Sequence, residues 1–188
     1  MKELIKEYLL ETSKICLSLD TISIENFANL IKEVKEAKSR IFIAGVGGSA
    51  ANASHAVNDF RKILGIETHS LTENISELTA RINDDGWQTS LVETLKVFNP
   101  TEKDTLIIFS VGGGSDTTSN NLTNLMKYVK SINMKLGSVV SRDGGYAKKL
   151  SDVCVHIPVL CEERITPHAE ETQGIVWHMV TSILRKLT

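Results

Sequence analysis

Cysteine is scarce in this sequence. Cys16, Cys154 and Cys161 are odd in number and unpatterned, which excludes a disulfide framework or a thiolate zinc site as the organising feature and makes a reducing cytoplasm the expected setting. An excess of one charge is also missing. A formal net charge of −2 provides no basic stripe for nucleic acid or for an anionic membrane, so small or neutral partners are expected. No stretch of apolar residues approaches the length a bilayer span needs. The opening "MKELIKEYLLETSKICLSL" interleaves acidic with apolar residues, so no export signal or anchor is expected there. Repeats, low-complexity tracts and long linkers are absent as well. What remains is the composition of a globular protein, 41% hydrophobic and 23% charged over 188 residues. That length suits one ordinary domain, 1–188, and is too short for two.

The first forty residues carry a helical pattern. Leu4, Ile5, Tyr8, Leu9 and Thr12 recur at three- and four-residue spacing, and after a break near Asp20 the set Phe27, Leu30, Ile31 and Val34 repeats the stripe behind Ser23 as the expected cap. Residues 1–37 thus read as a helical prelude, whose apolar surface serves either between subunits or on the chain's own sheet. Short β-rich runs follow at 40–45, 66–71, 105–111, 135–141 and 153–159, separated by helical patterns at about 50–64, 76–82, 88–97, 117–132 and 168–186. Such alternation implies an α/β fold, a parallel sheet covered on both faces.

Two turns at the carboxyl ends of strands are rich in glycine and hydroxyls: "GVGGSA" after the first strand and "SVGGGSDTTSNN" after the third. Glycine lets backbone N–H groups converge, and the helix that follows supplies its positive end, so an oxyanion fits such a place. Either turn alone is equally compatible with glycines that only make a tight bend. "GVGGSA" lacks the sixth-position glycine of a dinucleotide fingerprint, and no Walker lysine–serine pair occurs. Together the loops point to a phosphorylated small molecule without a nucleotide cofactor. His55 and Asp59, four apart on an expected helix, share one face about 6 Å apart. They suit acid–base chemistry or a simple hydrogen-bonded pair in solvent. His178, beside Val176, Trp177 and Met179, reads by itself as a packed core histidine. His156 and His168 read as strand and helix residues outside any site, and Arg142 and Asp143 as a turn near its mouth.

"GVGGSAANASHAVNDF", "NDDGW", "SVGGGS", "RDGG" and "TPHAEETQGIVWHMVTSIL" resemble, in order and spacing, the sugar isomerase (SIS) domain proteins, and most of all the phosphoheptose isomerases, which act on sedoheptulose 7-phosphate. The resemblance covers nearly the whole chain. It implies a three-layer α/β/α sandwich around a five-stranded parallel sheet. It also implies a homotetramer with active sites between subunits and with Leu4, Tyr8, Phe27, Leu30 and Val34 partly at their contacts.

The family's phosphate loop falls on Ser110, Val111, Gly112, Gly113 and Ser115, with two of its hydroxyls missing. Gly47, Gly48 and Ser49 match the first loop, where the usual asparagine is Val46. Asn83 and Asp84 match a pair that contacts the sugar. The resemblance makes Asp59, in place of a glutamate, and His178 the catalytic acid–base pair. Glu170 stands where the family has glutamine, and Gln173 where it has another histidine. Some members bind zinc, which His55, Asp59, Glu170 and His178 would hold here. The implied activity is aldose–ketose isomerisation, sedoheptulose 7-phosphate to D-glycero-D-manno-heptose 7-phosphate, for the heptose of surface glycans. The competing reading is a non-catalytic SIS module that binds a phosphosugar or a protein partner, of a regulatory or replication-initiation type.

Overall fold

The computed structural model describes residues 1–187. The chain opens with two helices, α1 (Lys2–Leu17) and α2 (Thr21–Ala37). Asp20, not Ser23, caps α2. Its carboxylate accepts from the amides of Ile22 and Ser23 at 3.0 and 3.3 Å, while the Ser23 hydroxyl donates to the Asp20 carbonyl from inside the first turn. An aspartate serves both the unpaired amides and the positive helix end, which a serine three residues later cannot reach.

Five strands follow, β1 (Ile41–Ala44), β2 (Thr68–Ser70), β3 (Thr105–Ser110), β4 (Lys135–Val140) and β5 (Val153–His156). All pair in parallel, in the order β2-β1-β3-β4-β5. The expected strand at 153–159 stops at His156. Ile157 makes one more bond to the Val140 carbonyl at 2.7 Å, and Pro158 has no N–H to continue the ladder. Strand residues alternate between two cores. Ile41, Ile43, Ile107 and Phe109 face a layer containing Phe27, Ile31 and Trp177, whereas Phe42, Leu106 and Ile108 face Leu91, Leu95 and Leu122. The result is a three-layer α/β/α fold.

The covering helices are α3 (Gly48–Asp59), which runs on through a π-helical turn at Phe60–Leu64, α4 (Ile75–Asp85), α5 (Ser90–Val97), α6 (Asn120–Ser131), α7 (Gly145–Leu150) and α8 (Ile165–Leu187). The six-residue α7 is not legible in "GGYAKKL". Among the described residues no helix is long and apolar enough to cross a membrane.

The apolar stripe of α2 packs inside its own chain. Phe27, Leu30 and Val34 are buried, and Phe27 and Leu30 close over Gly137 of β4, where a Cβ would stand 2.9 Å from Leu30. These three residues are therefore core and not free for a neighbour. In α1 the stripe divides. Tyr8 and Thr12 turn to α8, both donating hydroxyl hydrogen bonds to Glu171 at 2.9 Å, and Leu4, Ile5 and Leu9 remain exposed. The same seam holds His168, buried between Glu11 and Glu171 at 2.9 and 2.7 Å. Burial opposes its charge, but the two carboxylates outweigh that and raise its pKa above an ordinary histidine's.

Candidate active site

In the order β2-β1-β3, the connections from β1 and from β3 leave toward opposite sides, and ligand crevices of open α/β sheets lie at such a place. Here the two glycine turns line one cavity of about 520 Å³. Ser49 comes from the first turn and Ser110, Gly112 and Ser115 from the second, while Arg142 and Thr166 close the sides. The apolar Val46 and Val111 also face it.

The second turn is fixed by interlocking backbones. Gly113 has φ 71°, and a Cβ on it would collide with the Gly144 carbonyl, so this loop and the "RDGG" turn approach as only glycines permit. The amides of Tyr146 and Ala147 seal the contact by donating to the Gly114 and Gly113 carbonyls at 3.1 and 2.9 Å. Ser110 Oγ accepts from the Gly113 amide at 3.1 Å and Ser115 Oγ from the Thr118 amide at 2.9 Å. The Ser110 hydroxyl proton is left for an acceptor in the cavity, whereas the Ser115 hydroxyl also makes a long contact to the Thr118 carbonyl at 3.5 Å. Ser49 Oγ, in the first turn of α3, is buried without a partner among the described residues. Buried hydroxyls are seldom left unpaired, and this one lines the cavity.

Gly47 and Gly48 shape the first turn. Gly47 takes φ 63° just before α3, and the space where Gly48 has no side chain is filled by the Glu170 carboxylate from α8. Asn52 Nδ2 ties the same two helices, donating to the Glu170 carbonyl at 2.8 Å and to Gln173 Oε1 at 3.0 Å. Asn52 and Thr166 were not singled out from sequence. The four-residue step from Gly48 to Asn52 places both on the face toward α8, which would have shown the first.

Further along the same helix pair, His55, Asp59 and His178 meet. Each offers a ligand atom within 4.8 Å of the others. Asp59 Oδ2 stands 3.9 Å from His178 Nε2, and the His55 and His178 rings meet edge to face with centroids 5.3 Å apart. His178 Nδ1 lies 2.8 Å from the Gly174 carbonyl. A carbonyl only accepts, so Nδ1 carries a proton, and Nε2 is the nitrogen that faces Asp59. The other Asp59 oxygen accepts from Asn58 Nδ2 at 3.0 Å. Trp177 is buried behind both histidines, its ring 4.7 Å from that of His55. His178, far from being a core residue, is half exposed, with its side chain at 52%.

The cluster lies two to three helical turns along α3 from the "GVGGSA" turn, about 9 Å of axial rise from Ser49 to His55 and about 15 Å to Asp59, and none of its three residues lines the cavity. Glu170 lies at the cavity end of α8, outside the histidine–aspartate cluster. Asn83 and Asp84 sit on exposed α4, hydrogen-bonded to each other at 2.7 Å, and also lie away from the cavity lining.

A carboxylate oxygen and an imidazole nitrogen, facing each other beyond direct hydrogen-bond reach, suit either a metal ion or the shared atoms of a substrate. Two histidines and a carboxylate form a donor set that zinc accepts in catalytic sites.

No family model matches the chain. Among curated relatives, the phosphoheptose isomerase of Helicobacter pylori is 31% identical over 193 residues, covering 96% of this chain and 93% of that protein. Among solved structures, the phosphoheptose isomerase of Neisseria gonorrhoeae superposes with a TM-score of 0.84 at 22% identity, covering 97% of this chain and 98% of that one. That of Francisella tularensis gives 0.84 at 17% identity, covering 98% and 97%. The two structures share the fold. The Helicobacter relative, 31% identical across nearly the full length of both proteins, shows more than a fold: the chain belongs to the phosphoheptose isomerase family of SIS-domain proteins.

Proposed function

We propose that the chain interconverts a ketose phosphate and an aldose phosphate, with sedoheptulose 7-phosphate and D-glycero-D-manno-heptose 7-phosphate as the pair, supplying heptose for surface glycans. The observation that carries this reading is the approach of Asp59 Oδ2 to His178 Nε2 at 3.9 Å, on two helices whose first turns also line the cavity between the glycine loops. The cavity receives the phosphate on the hydroxyls of Ser49, Ser110 and Ser115 and on the positive ends of α3 and α8. Isomerisation moves one proton between neighbouring carbons and another between their oxygens through an enediol. Asp59 and His178 provide the carboxylate and imidazole for these transfers. His178 exchanges its proton at Nε2, because the Gly174 carbonyl engages Nδ1. Zinc suits His55, Asp59 and His178, and when bound would polarise the sugar carbonyl as a Lewis acid. Glu170 serves the sugar from the cavity end of α8.

The acid–base pair does not line its own chain's cavity, and Leu4, Ile5 and Leu9 of α1 are exposed. Both observations support sites completed between subunits of a homotetramer, with Asn83 and Asp84 meeting the sugar across a subunit boundary. Light scattering is expected to give four times the chain mass, and a monomer at micromolar concentration overturns the shared site.

Incubation with sedoheptulose 7-phosphate, followed by NMR of the products, tests the activity itself. An aldose 7-phosphate is expected. Binding without turnover establishes instead a phosphosugar-binding module, a reading favoured by the missing hydroxyls at Val111 and Gly112. Ser49→Ala is expected to weaken phosphosugar binding about tenfold, the value of a hydrogen bond to a charged group. An unchanged dissociation constant removes Ser49 from the site.

A further inference from the structure

We propose that Arg142 is the cationic ligand of the bound phosphate, closing over the anion from the open side of the cavity. This rests on the placing of phosphate between the glycine loops, and assigns the charge compensation that those loops do not provide.

The loops offer neutral donors, and several are already spent. The Gly113 amide is taken by Ser110 Oγ at 3.1 Å, the Thr118 amide by Ser115 Oγ at 2.9 Å, and the Ser115 amide by the Thr118 carbonyl at 2.8 Å. Val111 and Gly112 bring no hydroxyl. A phosphomonoester carries about 1.5 to 2 negative charges at neutral pH, and a recess lined only by hydroxyls and the remaining amides leaves that charge without a counter-ion.

Arg142 alone among the lining residues is charged. Its stem lies over the loop, with Cδ 3.5 Å from where a side chain on Gly112 would begin. Arg40, Arg61, Arg81 and Arg164 each hold a carboxylate. The Arg142 guanidinium has no ion pair and no hydrogen bond among the described residues, although Asp143 and Glu162 share the neighbouring hollow with it. Its backbone is held in an unusual state. Arg142 has φ 51°, a left-handed conformation uncommon for a residue with a side chain. It is kept there by the Ser141 amide on the Val111 carbonyl at 3.0 Å and by His156 Nε2 donating to the Arg142 carbonyl at 2.9 Å. The turn that interlocks with the phosphate loop thus also fixes the root of the arginine. A free guanidinium in that place matches two phosphate oxygens with parallel N–H donors, which lysine cannot do.

The test combines inorganic phosphate binding, followed by 31P and 15N NMR, with steady-state kinetics on sedoheptulose 7-phosphate, for the wild type and for Arg142→Gln and Arg142→Lys. Wild-type protein is expected to bind phosphate with shifts at the Gly112 and Gly114 amides. Arg142→Gln is expected to weaken it about tenfold or more and to raise KM by a similar factor, with kcat changed less than about threefold. Arg142→Lys should recover part of the loss, and an unaltered melting temperature in that variant shows the turn intact. If wild type binds phosphate at the loops and Arg142→Gln binds it equally well, the arginine has no such role while the phosphate site stands. If wild type shows no phosphate at those amides, the site itself is misplaced and the assignment of Arg142 falls with it.

Discussion

Asp59→Ala and His178→Ala are each expected to lower turnover by at least about a hundredfold, since removal of a general acid or base costs 10² to 10⁴ in rate. Neither side chain lines the cavity, so KM and the dissociation constant of the phosphosugar should change little, and the loss should fall on kcat. The two effects should also be far from additive: with Asp59 Oδ2 and His178 Nε2 at 3.9 Å, the residues act as a unit, and a double variant is expected to be about as slow as either single one. Steady-state kinetics with circular dichroism as a folding control decide the matter. Full activity in both alanine variants removes the mechanism and leaves a binding module. Asp59→Glu is a finer probe. Its side chain is one methylene longer and would narrow the 3.9 Å gap to His178. If the pocket is adapted to aspartate, the longer carboxylate lowers kcat; a rise shows that the aspartate reaches too short.

Asp104→Ala is expected to cost about 3 kcal/mol of folding stability, the order found when one member of a buried ion pair is removed. Asp104 is 3% exposed. Its carboxylate accepts from the Arg40 amide, Nε and Nη2 at 3.2, 3.0 and 2.8 Å and from the Thr101 amide at 2.8 Å. The Arg40 carbonyl in turn accepts from the Thr105 amide at 3.0 Å, so the pair clamps the starts of β1 and β3, whose far ends carry the glycine loops. Burial alone would raise the Asp104 pKa, but the Arg40 and Thr101 hydrogen bonds outweigh it and hold the carboxyl below an ordinary aspartate. A folded-state pKa below the unfolded value means that this stabilisation is complete above about pH 4, the unfolded aspartate value, and is lost as pH falls through the folded one. Urea unfolding should therefore show the full difference between wild type and Asp104→Ala at pH 7 and a smaller one near pH 3. A constant difference across that range rules out the carboxylate as its source.

The elements with strong local signals were legible. Alternating runs of β-branched and helical residues located five strands, and periodicity located both leading helices. Shorter features were not. Asp20 rather than Ser23 caps α2 because the carboxylate reaches two amides from just outside the helix, a choice between neighbouring candidates that depends on where the backbone first turns. The helix α7 is only six residues long, too short for a periodic pattern, and it is held by backbone bonds to Gly113 and Gly114. The division of the leading apolar residues into a core half on α2 and an exposed part on α1 also depended on packing, since both stripes have the same spacing.

By itself the sequence determined what lies close along the chain: two glycine turns at strand ends, and a histidine and an aspartate four residues apart on one helical face. Only the tertiary structure decided what these local pieces meet. The order β2-β1-β3 set the two glycine turns side by side, because strand order follows from how whole βαβ units pack and not from any local propensity. The packing of α8 against α3 carried His178 to Asp59 and Glu170 to Gly48. The interlocked glycines put Arg142 above the second glycine turn. Contacts between residues so distant in sequence form only when buried surface repays the entropy of closing the chain between them.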